Sequence, residues 1–426
     1  MTRVYQTFEV NDTIKLKQQM LNWSNRFNIC CFLDNHNYSS PLHSIECLVA
    51  AGSYAVFKPQ DDFFASLSSF ISTGNDWVFG HFNYDIKNRI EPGLSSKNPD
   101  NIKFPEAFLF IPKVVLQLTP TSIIIGVIEG DANAIFEEIV SQSISLAEAE
   151  SLQFTPAISR NEYISKVLKL KENINRGYCY VINFCQEFYA NVPINPVAAY
   201  TKLSNISPNP FSAYYKLNDK YLLCSSPERY LKKDGNSILS QPIKGTSARD
   251  LSNKINDDRS RVLLSENAKE RSENVMVVDL VRNDLSKVCK QGTVKVEELF
   301  GIYSYPTVHQ MISTVKGELL PNIDFSDILQ ATFPMGSMTG APKRKVMELI
   351  EEYEQTKRGL YSGTLGYISP GGNFDFNVVI RSIFYNGQTN YTSYQVGSAI
   401  TANSEPEKEY EECLLKAAAL LKVFQI

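Results

Sequence analysis

Strand-like and helix-like segments follow one another in blocks along this chain, not in strict βαβ alternation. Residues 1–150 carry short apolar runs between polar turns, among them CCFLDN, ECLVAAGSYAVF, FLFIPKVVLQL and SIIIGVIEG. These read as strands with a few helices between them. Further on, YCYVINFCQEFYANV reads as one long strand and YLLCSSPERYLKKDGNSILSQPIKGT as a hairpin-like set. A parallel pair needs a long crossover connection, usually a helix, whereas antiparallel strands need only a turn. The block pattern therefore predicts an α+β fold with mostly antiparallel sheets. With 426 residues, 43% of them hydrophobic, the chain can bury one large core or two moderate ones.

The polar segment SQSISLAEAE, residues 141–150, reads as a connection. The expected division is an N-terminal region, 1–150, and a second region, 151–426, intertwined in one globule. The second region opens on a helix within FTPAISRNEYISKVLKLKENINRG. Ser159 is placed to cap it, Ile164, Val167, Leu168 and Leu170 supply apolar positions, and Gly177 ends it. Residues 252–284 are long helical text, and TLGYISPGGNFDFNVVIRSIFYN reads as two strands around Gly371-Gly372. NYTSYQVGSAIT reads as another strand. The closing SEPEKEYEECLLKAAALLKVFQ predicts a helix with Ser404 as cap and Glu407 at the capping-box position.

A net charge of −4 without a basic arm argues against nucleic acid or an anionic membrane as partner. The N-terminal MTRVYQTFEVNDTIK has no apolar signal core, and no apolar stretch is long enough to span a membrane, so a cytosolic protein is expected. The eight cysteines form no CxxC pair and the four histidines no ligand spacing, which speaks against a disulfide framework or a zinc site. Neither GxGxxG nor GxxxxGK[ST] occurs, so no nucleotide-binding loop is signalled.

Four features place charge or polarity in telling positions. Lys244 follows Pro242 and Ile243 into a Gly-Thr turn. It is either a solvated edge charge that discourages strand pairing or an amine held for chemistry. Glu270 and Glu273 are spaced i, i+3, as are Glu409 and Glu412, with Lys416 one turn further on. Each pair falls on one helical face. They form either solvated surfaces or two carboxylate ladders for a hard cation such as Mg²⁺, which takes one or two carboxylates plus substrate oxygens and waters. In FPMGSMTGAPKRKVMELIE the small residues of 336–341 precede Pro342. That is either a loop offering N–H groups and hydroxyls to an anion or a plain turn before a helix with proline in its first turn. Arg381 interrupts the apolar FNVVIRSIF; buried there, it needs a partner, and its planar fork suits a carboxylate.

Taken in order, SPERYL, QPIKGT, RSENVMVVDLVRNDLSKV, TVHQMISTV, FPMGSMTGAPK, YSGTLGYIS, FNVVIRS and EKEYEE resemble the motifs of the chorismate-utilising enzymes, over about residues 155–424. The N-terminal third is less distinct, DWVFGHFNYDIKN being its best piece. The resemblance implies a large α/β sandwich of two orthogonally packed antiparallel sheets flanked by helices, with chorismate and Mg²⁺ bound in a cleft. It implies that Lys244 is a covalent nucleophile on the chorismate ring, because members that aminate C4 read PIKGT where anthranilate-forming members usually carry alanine. An amine buried beside Pro242, Ile243 and sheet residues would lose solvation and become available as the free base. Glu228 of SPER is implied to protonate the leaving C4 hydroxyl. Glu273 and Glu412 are implied Mg²⁺ ligands, with Glu270 and Glu409 close by. Arg381 and Tyr361 are implied to clamp the enolpyruvyl carboxylate, and Lys416, His309, Thr246, Ser337 and the backbone near Gly397 to make further substrate contacts.

Isochorismate- and salicylate-forming members place a water-activating lysine where this chain has Val181, and valine cannot act as that base. The family's GGGI or GAGI reads Gly397-Ser398-Ala399-Ile400 here, so a side chain at 398 or 399 is expected to narrow a place where backbone approaches ligand. HSIECLVAAGS is the nearest match to the family's tryptophan-binding text. The activity implied is conversion of chorismate and ammonia to 4-amino-4-deoxychorismate in the folate (p-aminobenzoate) branch. Anthranilate formation is the alternative, and isochorismate or salicylate formation a more distant one. No amidotransferase signature occurs, so ammonia is expected from a separate glutamine amidotransferase subunit.

Overall fold

The computed structural model describes residues 2–38, 42, 45–144, 149–306 and 308–425. Every strand pairing among them is antiparallel. One ladder runs Val4–Glu9, Ser122–Val127, Ala107–Leu118, Cys47–Val56, Ile29–Asp34, Phe211–Leu217, Lys220–Ser226, Ser382–Asn386, Tyr391–Ile400, Val181–Asn191. A second leaves the same Ala107–Leu118 strand and runs Val78–Phe82, Thr364–Ile368, Phe374–Asn377, Arg229–Asp234, Ser237–Gln241, Val308–Glu318, Lys295–Ser304. The Ala107–Leu118 strand divides its length between them: residues 107–110 pair with Val78–Phe82, and 114–118 with Ser122–Val127. Strands of the first 150 residues thus pair directly with later ones.

Eleven α-helices are present among the described residues, and the apolar side chains form two clusters. Side chains alternate faces along a strand. In Val181–Asn191, accordingly, Ile182, Phe184 and Phe188 enter one cluster while Cys185 enters the other. None of the helices is long and apolar enough to cross a membrane, and all eight cysteines are free and buried.

Ser159 caps helix Arg160–Asn175 as expected, its hydroxyl accepting from Glu162 N at 3.2 Å. The helical text of 252–284 divides into Lys254–Glu266 and Ala268–Ser286; Asn267 separates them, and its side chain accepts from Lys269 N and Glu270 N. Ser404 does not cap the last helix, Pro406–Val423, whose flanking residue is Glu405. Proline at the helix start removes one N–H that would otherwise need an acceptor, and the Ser404 hydroxyl accepts from Thr401 N at 3.0 Å instead. Pro342 stands just before helix Lys343–Tyr353, not in its first turn. Of HSIECLVAAGS, His43 and Ser44 lie outside the described residues, Ile45 and Glu46 precede strand Cys47–Val56, and residues 47–53 lie in it.

Candidate active site

Two chain segments pass from one ladder to the other side by side. Lys220–Ser226 continues through Pro227 and Glu228 into Arg229–Asp234, and Phe374–Asn377 continues through 378–381 into Ser382–Asn386. They are hydrogen-bonded to each other. Ser225 N donates to the Arg381 carbonyl at 3.1 Å, Val378 N to the Glu228 carbonyl at 3.0 Å, and Ser226 Oγ to the Val378 carbonyl at 2.6 Å. Arg381 therefore lies between strands and not inside one, at a φ of 50° that side chains seldom adopt. Arg381 as a whole is half-buried, and its guanidinium forms no ion pair among the described residues. Burial draws its pKa below the ordinary arginine value, while Tyr305 and Glu228 favour the charge.

Glu228 is 3% exposed. Burial pushes its carboxyl up to about 7, against the opposing effects of Ser337, Lys244, the Ile243 N–H and Arg381. Ser337 occupies the short turn Gly336–Met338. Its buried hydroxyl has no hydrogen-bond partner of normal geometry, yet it is near enough to Glu228 to favour the charged form.

The bend around Lys244 has a geometric cause. Ile243 pairs with Ile312 and Thr246 with Gln310, so Lys244 and Gly245 together oppose Met311. The extra residue makes a β-bulge, which re-aims side chains. Gly245 has φ 93°, and a Cβ there would sit 3.2 Å from Glu270 Oε2 and 3.3 Å from Leu264 Cδ1. The missing side chain lets helix Ala268–Ser286 approach, bringing Glu270 against the bulge. The apolar burial expected for Lys244 is not found. It is half-buried among carboxylates, and its charge acts on Glu228, Glu270, Glu273 and Glu412.

The two carboxylate ladders face each other across this site. Glu273 is 7% exposed, and burial raises it to about 7 against Lys244 and Lys269, with Glu270 and Glu412 reinforcing the rise. Burial and the Glu412 charge also raise Glu270. Burial works against the Glu412 charge as well, but Lys416 Nζ at 2.7 Å holds this carboxyl below its ordinary value. Lys269 Nζ joins the two helices, 3.1 Å from Glu409 Oε1 and 3.8 Å from Glu273 Oε1. No three acidic, histidine or cysteine side chains among the described residues converge as a ready-made metal cage. The buried Glu273 Oε1 and Glu409 Oε2, one from each helix, nevertheless lack hydrogen-bond partners among the described residues. A buried carboxylate oxygen without a donor is costly, and a cation that needs only one or two carboxylates fits this pair.

Lys416 also donates to the Gly397 carbonyl at 3.0 Å and feels the Arg381 charge. A Cβ on Gly397 would lie 2.4 Å from Cys185 Sγ, its strand partner's thiol. That thiol donates to the buried Tyr361 hydroxyl at 3.8 Å, so Tyr361 reaches the Gly397 strand through Cys185. Ser398 points to the opposite face, where its hydroxyl meets Tyr163 OH at 3.1 Å; it does not narrow the site. Ala399 shares the face of Gly397.

His309 is 1% exposed, and both ring nitrogens are engaged within the protein, by Ser304 Oγ at 2.8 Å and by Asp257 Oδ1 at 3.0 Å. Asp257 is in turn paired with Arg249 at 2.8 Å. Two groups escape the sequence reading. Lys269 is one. The other is Gln310, which faces Thr246 across the ladder and is fully buried with neither amide atom partnered. It adjoins His309 in the TVHQMISTV motif, and that adjacency is the only sequence signal for it. Lys343 donates to Asp284 and to the Thr332 carbonyl, tying the segment that bears Ser337 to the helix that bears Glu270 and Glu273.

A two-ladder antiparallel fold with opposed carboxylate helices, a bulged lysine and an unpaired arginine defines a family. Residues 41–422 match the family of chorismate binding enzymes, and the chain belongs to it. It is 35% identical over 349 residues to "Aminodeoxychorismate synthase component 1" of Escherichia coli (strain K12), covering 81% of this chain and 76% of that protein. It is 34% identical over 371 residues to "Anthranilate synthase component 1" of Aquifex aeolicus, covering 82% and 74%. Among solved structures, anthranilate synthase component I from Streptococcus pneumoniae TIGR4 superposes with a TM-score of 0.76 at 24% identity, covering 90% of this chain and 94% of that one. That likeness establishes the fold.

Proposed function

We propose that this chain performs the component 1 reaction of aminodeoxychorismate synthases, converting chorismate and ammonia to 4-amino-4-deoxychorismate and water. The observation that carries this reading is the bulge at Lys244 and Gly245, which sets an amine among Glu228 and the carboxylates of both helices. In the proposed course the Lys244 ammonium passes a proton to the Glu228 carboxylate, and the free amine bonds to ring C2 while the C4–O bond breaks. Glu228, whose carboxyl is raised to about 7, supplies the proton with which the hydroxyl leaves as water. Ammonia then bonds to C4 as the C2–N bond breaks, Lys244 leaves with its electron pair, and the surplus proton returns to Glu228.

Arg381, without an ion pair among the described residues, suits the enolpyruvyl carboxylate, and Lys416, Ser337, Thr246 and the Gly397 backbone suit the remaining polar contacts. Mg²⁺ is proposed at Glu273 and Glu412 with Glu270 and Glu409 close by; when bound it supplies positive charge that holds and orients the ring carboxylate. Glu273 Oε1 and Glu409 Oε2, which lack hydrogen-bond donors among the described residues, support a cation between the two helices. Ammonia is proposed to come from a separate glutamine amidotransferase subunit and the protein to work in the cytoplasm.

Anthranilate formation is the second reading, since an anthranilate synthase component 1 stands among the relatives. The two are separated by product analysis with chorismate, Mg²⁺ and ammonium. Formation of p-aminobenzoate only after an aminodeoxychorismate lyase is added supports the proposal. Anthranilate without lyase overturns it.

A further inference from the structure

A second polar site lies on the Val181–Asn191 strand, away from Lys244. Glu187 pairs across the ladder with Gln395 and is 5% exposed. Its side chain borders two spaces: a cavity of about 20 Å³, lined also by Asp100, Ser393 and Gln395, and an open cleft of about 590 Å³, lined also by Asn101, Tyr189 and Tyr391. A buried carboxylate normally has a cation beside it. Glu187 forms no ion pair among the described residues, and the charge it feels is that of Asp100, of its own sign. Lys357 and Arg358 border the cavity and Lys103 the cleft, but none of them pairs with Glu187; Arg358 is paired with Glu354 at 2.6 Å. Burial raises the Glu187 carboxyl to about 7, with the hydroxyls of Ser393, Tyr391 and Thr356 favouring its charge. Ser393 is 1% exposed and borders the cavity; its hydroxyl is near enough to favour the Glu187 charge but has no hydrogen-bond partner of normal geometry among the described residues.

The two spaces differ in size and chemistry. The small cavity holds one water-sized group; its wall carries the Glu187 and Asp100 carboxylates and the Ser393 hydroxyl, with Lys357 and Arg358 also on the lining. The cleft offers a stacked aromatic pair, Tyr189 and Tyr391, with centroids 5.5 Å apart and ring planes 11° apart. We propose that Glu187 anchors a second ligand site, for an organic primary ammonium ion. The –NH₃⁺ group sits in the cavity against Glu187, Asp100 and Ser393, and the apolar body lies in the cleft against the tyrosine pair. The cation supplies the missing counter-charge, its N–H groups use the free acceptors, and the body covers aromatic surface.

The test uses the full chain in calorimetric titration with benzylammonium chloride, with benzyl alcohol as the uncharged counterpart and potassium chloride as the inorganic ion. Saturable benzylammonium binding is expected, with benzyl alcohol at least tenfold weaker. Glu187→Gln should weaken benzylammonium at least tenfold. Tyr189→Ala, on the wall of the cleft, should weaken it several-fold and provides the check should Glu187→Gln fail to fold. Equal binding of benzylammonium and benzyl alcohol, equal affinity in wild type and a folded variant, or saturation by potassium alone would each overturn the proposal.

Discussion

The Ser225 amide donates to the Arg381 carbonyl at 3.1 Å, one of the bonds that join the two places where the chain changes ladder. Glu228 lies three residues after Ser225, and Val378, three before Arg381, returns a bond to the Glu228 carbonyl. The acid and the arginine are thus fixed relative to each other by backbone, not by side-chain packing.

Arg381→Ala should weaken chorismate binding. Any residue but glycine bears the same backbone strain at φ 50°, so the substitution reports on the guanidinium. A hydrogen bond to a charged group contributes about 1.5–3 kcal/mol, or roughly tenfold to a hundredfold in affinity. Steady-state kinetics should show the loss chiefly in KM; unchanged KM and kcat would make Arg381 structural.

Glu228→Gln should stabilise the fold in a pH-dependent way. The folded carboxyl titrates at about 7 against an ordinary 4.5. Between those values the folded protein holds more protons than the unfolded chain, so its stability falls as pH rises through the window. Glutamine removes the charge that causes the fall. The variant should melt above wild type at pH 8 and level with it at pH 5, while turnover drops roughly 10²–10⁴-fold for loss of a general acid. Equal melting shifts at both pH values would refute the buried-charge explanation.

Glu273→Gln and Glu412→Gln should each abolish Mg²⁺-dependent turnover without loss of fold, measured by activity against Mg²⁺ concentration together with thermal melting. Full activity of both variants in metal-depleted buffer would remove the metal from this site.

Lys244→Ala should abolish a covalent adduct. With chorismate and no ammonia, intact-mass measurement and peptide mapping should find added ring mass on the peptide containing QPIKGTSAR. The variant should show no adduct and lower aminodeoxychorismate formation, retaining some anthranilate-forming activity. If no adduct can be trapped in wild type and Lys244→Arg stays active, the lysine acts by charge alone.

Local chemistry along the sequence determined a good deal. Blocks of strand text joined by short turns pointed to antiparallel pairing, which a turn alone can connect. Ser159 marked a helix start because a hydroxyl there can take a backbone N–H wherever the helix packs. The i, i+3 spacing of Glu270 with Glu273 and of Glu409 with Glu412 put each pair on one face without reference to the rest of the molecule. Tertiary structure decided the rest, since electrostatics and burial depend on groups distant in sequence. It surrounded Lys244 with carboxylates where an apolar wall was expected, because a bulge opposite Met311 and a bare Gly245 let helix Ala268–Ser286 come close. It turned Ser398 away from the site, because strand alternation left that face to Gly397 and Ala399. It took Arg381 out of a strand and set it at a crossover, and among the described residues it left Gln310 buried without hydrogen-bond partners and Glu187 buried without an ion pair. Those last placements follow from which strands meet across hundreds of residues, and no local pattern of side chains encodes that.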